Sequence, residues 1–118
     1  MIIGTGVDIT EVSRLRQALE KWGKEFLNRV FTKEELENAK SRGSLCQHLA
    51  GRFAAKEAVF KALGDAKLTW KDVQILNDKD GKPRCTISNN KSKKIEAHIS
   101  ISHVKNYAVA NAIITQKS

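Results

Sequence analysis

The longest run of one hydrophobic pattern is residues 45–64, LCQHLAGRFAAKEAVFKALG, rich in helix formers, free of proline and closed by a glycine. Turned at ~100° per residue, Leu45, Leu49, Phe53, Val59, Phe60 and Leu63 fall on one side, and Ala50, Gly51, Ala54, Ala55, Ala58 and Ala62 on the other. No broad polar face remains. The pattern predicts one core helix of about five turns, with its small side against a neighbouring backbone. Residues 1–8 alternate at period two, with Ile3, Thr5, Val7 and Ile9 on one face and Ile2, Gly4, Gly6, Asp8 and Thr10 on the other. They read as a strand whose glycines admit another backbone or a ligand.

Residues 11–22 read as a helix, with Val12, Leu15, Leu19 and Trp22 as its apolar side, and residues 26–31 as a short apolar connector. Thr32 and Glu35 form a capping-box pattern opening a short helix to about Arg42, and Ser41, Gly43 and Ser44 break the chain before the core helix. Beyond Gly64 the pattern becomes strand-like. Residues 73–77 and 82–87 flank Asp80-Gly81 as a hairpin, and residues 89–94, with Lys91, Lys93 and Lys94, form a polar loop. Residues 96–104 and 107–115, joined at Lys105-Asn106, make a second hairpin whose continuous apolar runs predict burial on both faces. The order predicts a single α+β domain over residues 1–118, with the long helix packed on a mainly antiparallel sheet.

Length sharpens this picture. A 118-residue chain is short of surface to cover an all-round apolar helix, so packing between copies is expected. No run is long and apolar enough for a membrane, and MIIGTGVD lacks the regions of a signal peptide, so a cytosolic protein with no membrane partner is expected. Cys46 and Cys85 have no metal-ligand spacing and read as reduced structural thiols. The net charge of +8 points to a polyanionic partner without choosing one.

Charges in the apolar stretches carry the candidate chemistry. On the core helix, Glu57 and Lys61 are i, i+4 neighbours at one border of the bulky side, as are Arg52 and Lys56 at the other. A carboxylate such as Glu57 at the edge of a buried stripe needs a positive partner, which is either Lys61 or a bound cation. Asp8 is either a helix cap or a ligand at the strand end. Arg14, Gln17 and Lys21, with Lys24 beyond, form a solvated face or a docking stripe for an acidic partner. His103 ends a strand with Ser100 and Ser102 on the other face, and His48 and His98 read as structural.

Three segments together are diagnostic. GTGVDITEV at 4–12, LAGRFAAKEAVFKALG at 49–64 and ISISHVKNYAVA at 99–110 closely resemble the signature segments of holo-acyl-carrier-protein synthases, the short members of the 4'-phosphopantetheinyl transferase superfamily. The resemblance extends to FTKEEL near position 31 and GKP at 81–83. It implies transfer of the phosphopantetheine arm of coenzyme A to a serine of apo acyl carrier protein, with release of adenosine 3',5'-bisphosphate, in support of fatty acid biosynthesis. It implies that Asp8 and Glu57 bind Mg2+, that Lys61 contacts phosphate, and that Lys82, Pro83, Ser102 and His103 contact coenzyme A. It also implies a homotrimer with sites between subunits, and a carrier whose acidic helix docks on Arg14, Lys21 and Lys24.

The chemistry suits these residue types. A hydroxyl attacking a pyrophosphate needs its charge neutralised and the groups held in line, and Mg2+ favours a few carboxylates plus phosphates and waters. Lys61 and Lys82 would stabilise the leaving bisphosphate. Glu57, Asp8 or a metal-bound water could take the proton. Two rival readings are a basic nucleic-acid-binding domain and a non-catalytic assembly protein. Against the first, the chain has only seven aromatics, several at core positions, and no zinc, RNP or glycine-loop motif, so no nucleic-acid partner is expected.

Overall fold

The computed structural model describes residues 1–64, 67–88 and 94–117. Strand β1 (Ile2–Glu11) leads into α1 (Val12–Trp22), α2 (Lys24–Val30), α3 (Lys33–Lys40) and the long α4 (Leu45–Leu63). A short 3-10 turn (Trp70–Asp72) precedes the hairpin β2 (Val73–Asn77) and β3 (Pro83–Ile87), and the chain closes with β4 (Ile95–His103) and β5 (Tyr107–Gln116). The expected α+β architecture is present. Antiparallel strands β1, β5 and β4 form one sheet in that order, and β2 and β3 form a second.

The small side of α4 lies on the three-stranded sheet. Ala54, Ala55 and Ala58 are fully buried against Ala110, Ala112 and Ile114 of β5. Gly4 and Gly6 let β1 approach closest: a Cβ on either would stand 2.1 Å from the carbonyl oxygen of Ala62 or Ala58. The close backbone contact expected of both glycines and alanines is therefore one contact, between β1 and α4. At the far end Gly64 takes φ +71 and donates its N–H to Phe60, closing the helix. The first half of α4 packs through Leu49 and Ala50 on Val12, Leu15, Val30 and Phe31.

Several elements differ from expectation. The apolar connector at 26–31 is the helix α2, since its Phe26, Leu27 and Val30 sit at helical spacing. Strand β1 continues past Asp8 to Glu11, because its ladder to β5 runs on to the pair Glu11↔Tyr107; Asp8 is thus a strand residue and caps nothing. Trp22 does not join the apolar side of α1 but stands 54% exposed at its last turn. The second hairpin is buried on one face only: in β5, Ala108, Ala110, Ala112 and Ile114 point to α4, while Tyr107, Val109 and Asn111 point outward. The loop residues 89–93, with Lys91 and Lys93, lie outside the described residues; Lys94 accepts a backbone hydrogen bond from Lys117 at 2.7 Å.

The two basic residues at the other border of α4, Arg52 and Lys56, are buried. Lys56 pairs with Glu35 of α3 at 2.9 Å and donates to the carbonyls of Trp70, at 2.8 Å, and Val73. Glu35 also accepts from the backbone N–H groups of Thr32 and Ile75, at 2.8 and 2.7 Å, so the expected capping box is present and shares its carboxylate with the core. Arg52 donates to Asn38 and to Asn77, the latter at 2.8 Å. Burial lowers the Arg52 guanidinium to about 10, against the opposing pull of Glu35, which leaves it charged at neutral pH. This network ties α3, α4 and β2 together with nearly every polar atom satisfied.

Candidate active site

The inward face of β1 carries Asp8 to the edge of α4 beside Glu57. Register fixes Asp8 opposite Ala110, two residues beyond Gly6, so the close glycine contact also sets how near its carboxylate comes to the helix. Lys61 of α4 donates to Asp8 Oδ1 and to the Val7 carbonyl, both at 3.1 Å, and the Thr10 hydroxyl donates to Asp8 Oδ2 at 3.2 Å. The Lys61 side chain is 55% exposed, so its pair with Asp8 is weak and exchangeable. A cleft of about 380 Å³ opens here, lined by Asp8, Thr10, Arg14, Phe53 and Glu57 among others.

Glu57 is the strained member. Its carboxyl is held above the ordinary carboxylate value, first by burial and then by the Asp8 charge, with Lys61 opposing both. No hydrogen bond or ion pair reaches it from the described residues. The Glu57–Lys61 pair left open by the sequence is therefore not formed: the ammonium goes to Asp8 Oδ1 and the neighbouring Val7 carbonyl, two acceptors within reach at once. Two acceptor-only carboxylates facing one cleft, one without a donor, suit a hard cation. Among the described residues no group of three or more His, Cys, Asp or Glu assembles, so a bound ion would take most of its ligands from elsewhere. Mg2+, which retains waters and binds phosphate oxygens, fits that donor set better than Zn2+ or Ca2+.

The remaining expected contacts lie elsewhere in the chain. Lys82 and Pro83 line a groove of about 500 Å³ between β3 and β4, and Pro83 and His103 line a smaller cavity of about 150 Å³ beside α4. Ser102 faces outward on β4 opposite Val109. The cleft around Asp8 and Glu57 contains none of these four. Of the three residues expected to dock a carrier, Arg14 lines that cleft, Lys21 is exposed with its ammonium 5.0 Å from the Trp22 ring, and Lys24 is exposed at the start of α2. His48, read as structural, forms a T-shaped pair with His103, with ring centroids 5.5 Å apart. Gly51, three residues on, was the available signal, since it leaves room for a ring on that side of the helix.

Residues 4–112 match the family model of the 4'-phosphopantetheinyl transferase superfamily. The chain is 50% identical over 116 residues to the holo-[acyl-carrier-protein] synthase of Thermodesulfovibrio yellowstonii, covering 98% of this chain and 100% of the relative. It is 47% identical over 119 residues to that of Protochlamydia amoebophila, covering 96% and 98%. A crystal structure of the Bacillus anthracis holo-(acyl-carrier-protein) synthase in complex with CoA (3',5'-ADP) superposes with a TM-score of 0.84 at 39% identity, over 100% of this chain and 99% of that one. The Neisseria meningitidis structure gives 0.88 at 31%, over 98% and 100%. Family match, full-length identity and fold agree, and the chain belongs to the holo-acyl-carrier-protein synthase group of the 4'-phosphopantetheinyl transferase superfamily.

Proposed function

We propose that this chain moves the 4'-phosphopantetheine arm of coenzyme A onto a serine of apo acyl carrier protein, in the cytoplasm and in support of fatty acid biosynthesis, with Mg2+ held by Asp8 and Glu57. The observation that carries the reading is Glu57, a raised carboxylate without a donor that shares a cleft with Asp8. The relatives named as holo-acyl-carrier-protein synthases, and the coenzyme A complex of one of them, support the substrates. When bound, Mg2+ supplies charge neutralisation at the pyrophosphate. Lys61, exposed and exchangeable, turns from Asp8 to a phosphate oxygen and stabilises the leaving adenosine 3',5'-bisphosphate. Asp8 and Glu57 both line the cleft, and either can accept the serine proton. Arg14, Lys21 and Lys24 hold the acidic helix of the carrier against the cleft mouth.

Lys82, Pro83, Ser102 and His103 hold coenzyme A from a neighbouring copy in a homotrimer. The support is twofold: none of them lines the carboxylate cleft, and the outer sheet face is apolar and open, with Ile3, Val7, Ile9 and Val109 all 38–63% exposed. The test of function is incubation with apo carrier protein, coenzyme A and Mg2+, read by intact mass. Carrier that gains one phosphopantetheine arm supports the reading, and an unmodified carrier in the presence of bound coenzyme A refutes it. For the shared site, Glu57→Ala and His103→Ala, each inactive alone, should recover about a quarter of wild-type activity when dissociated, mixed equally and reassembled, since one interface in four then pairs two intact halves. Mixed trimers with no gain would put each site within one chain.

A further inference from the structure

The cavity between α4, β4 and the first hairpin sets His103, assigned above to coenzyme A, against a second ring, His48, that has no part in that assignment. His48 of α4 lies 3.0 Å through Nε2 from the Arg42 carbonyl. A carbonyl only accepts, so Nε2 carries the proton and the neutral ring keeps its lone pair on Nδ1. The ring then meets His103 of β4 edge-on, at 90° between planes and 5.5 Å between centroids. His103 also packs on Gly51, where a Cβ would lie 3.3 Å from His103 Cδ2. His103 is thus seated on one face of α4, against the bare backbone at Gly51 and the ring of His48 one turn before it.

A satisfied structural histidine would need no more than the Arg42 carbonyl. What sets His48 apart is the charge around it. Arg42 comes from the α3–α4 connection, Arg52 from α4 and His103 from β4, and the hairpin contributes only uncharged Asn77, Gly81 and Pro83. Among the described residues no carboxylate lines the cavity. Protonating His48 would place a further cation against His103 among like charges, so the ring is favoured as a neutral wall. Burial, followed by the charges of His103, Arg52 and Arg42, holds His48 below the ordinary imidazole value, and only its bond to the Arg42 carbonyl opposes them.

We propose that His48 is a positioning residue for His103: neutral and anchored on the Arg42 carbonyl, it fixes the ring that meets the coenzyme A phosphates, and its protonation makes that seat sensitive to pH. This rests on the transferase reading for the role of His103. The contact between the two rings lies within one chain and does not depend on that reading.

The experiment follows the His103 ring resonances by NMR as pH falls, in wild type, His48→Phe and His48→Ala, with His103→Gln used for assignment. Wild type should show a second inflection, below the ordinary imidazole range, that reports His48; it should vanish in His48→Phe, which keeps a ring but cannot titrate. Coenzyme A binding by calorimetry should weaken roughly tenfold in His48→Ala and by less than about threefold in His48→Phe. Identical His103 curves in wild type and His48→Phe would overturn the proposal, as would unchanged coenzyme A affinity in a folded His48→Ala. Wild type that binds no coenzyme A would instead refute the transferase reading, while the resonances still decide whether the two rings are coupled.

Discussion

Helix α4 carries two pairs of charged residues, and their fates are opposite. Arg52 and Lys56 are buried and surrounded by Glu35, Asn38, Asn77 and backbone carbonyls. Glu57 and Lys61 sit at a cleft, one with no donor and the other held loosely by Asp8. A charge matched at nearly all of its polar atoms inside the protein serves the fold; one left unmatched at an opening is held for something that arrives. The same helix therefore separates scaffold from chemistry by what surrounds each side chain rather than by residue type.

The comparison breaks hardest at the cleft. Asp8→Ala and Glu57→Ala should each lower transfer by about a thousandfold or more while leaving circular dichroism and unfolding midpoint close to wild type. Unchanged turnover and Mg2+ dependence in both would show that the unmatched carboxylates hold no metal. The buried side should behave inversely. Glu35→Ala strands Lys56 without its counter-charge and should cost about 3–5 kcal/mol in urea unfolding, with turnover per folded molecule little changed. A loss under about 1 kcal/mol would mean that water or rearrangement replaces the carboxylate.

Charges away from α4 should give an intermediate response. Lys21→Glu with Lys24→Glu should raise KM for carrier protein roughly tenfold and leave KM for coenzyme A almost unchanged, and wild-type carrier affinity should weaken with salt. Equal effects on both substrates would remove these lysines from docking. The smallest effect sharpens the contrast most. Because the folded chain binds the Glu57 proton more tightly than the unfolded chain does, stability falls as pH rises from the ordinary glutamate value through the raised one. Glu57→Gln in chelator-treated protein should therefore be slightly more stable at neutral pH, by less than about 1 kcal/mol for a group only partly buried, and indistinguishable below about pH 4. A destabilised Glu57→Gln would show that the carboxylate serves the fold after all.

Much of this contrast was legible before the structure, and the gaps have physical causes. The all-round apolar helix, its small side, the two glycines and the capping box at Thr32 and Glu35 follow from local spacing, which sequence displays directly. The second role of Glu35 does not, because its partner Lys56 lies in another element and a buried ammonium leaves no periodic trace. The same holds for His48 and His103, which meet only once β4 docks on α4. Trp22 obeyed the helical period but stands beyond the point where the core ends. The outer face of the last hairpin was read as buried because a continuous apolar run does not record which of its two faces packs on the helix.

Gly4 and Gly6 act as a gauge. Between β1 and α4 there is no side chain to compress, so the spacing is set by hard contact of strand backbone on helix carbonyls, and Asp8 inherits that spacing two residues later. A single methyl group at Gly6 would act like a shim under the strand, lifting one carboxylate away from the other without touching either. The catalytic tolerance of this enzyme is thus written partly in hydrogen atoms that belong to no catalytic residue, where a neutral-looking substitution could disable the site.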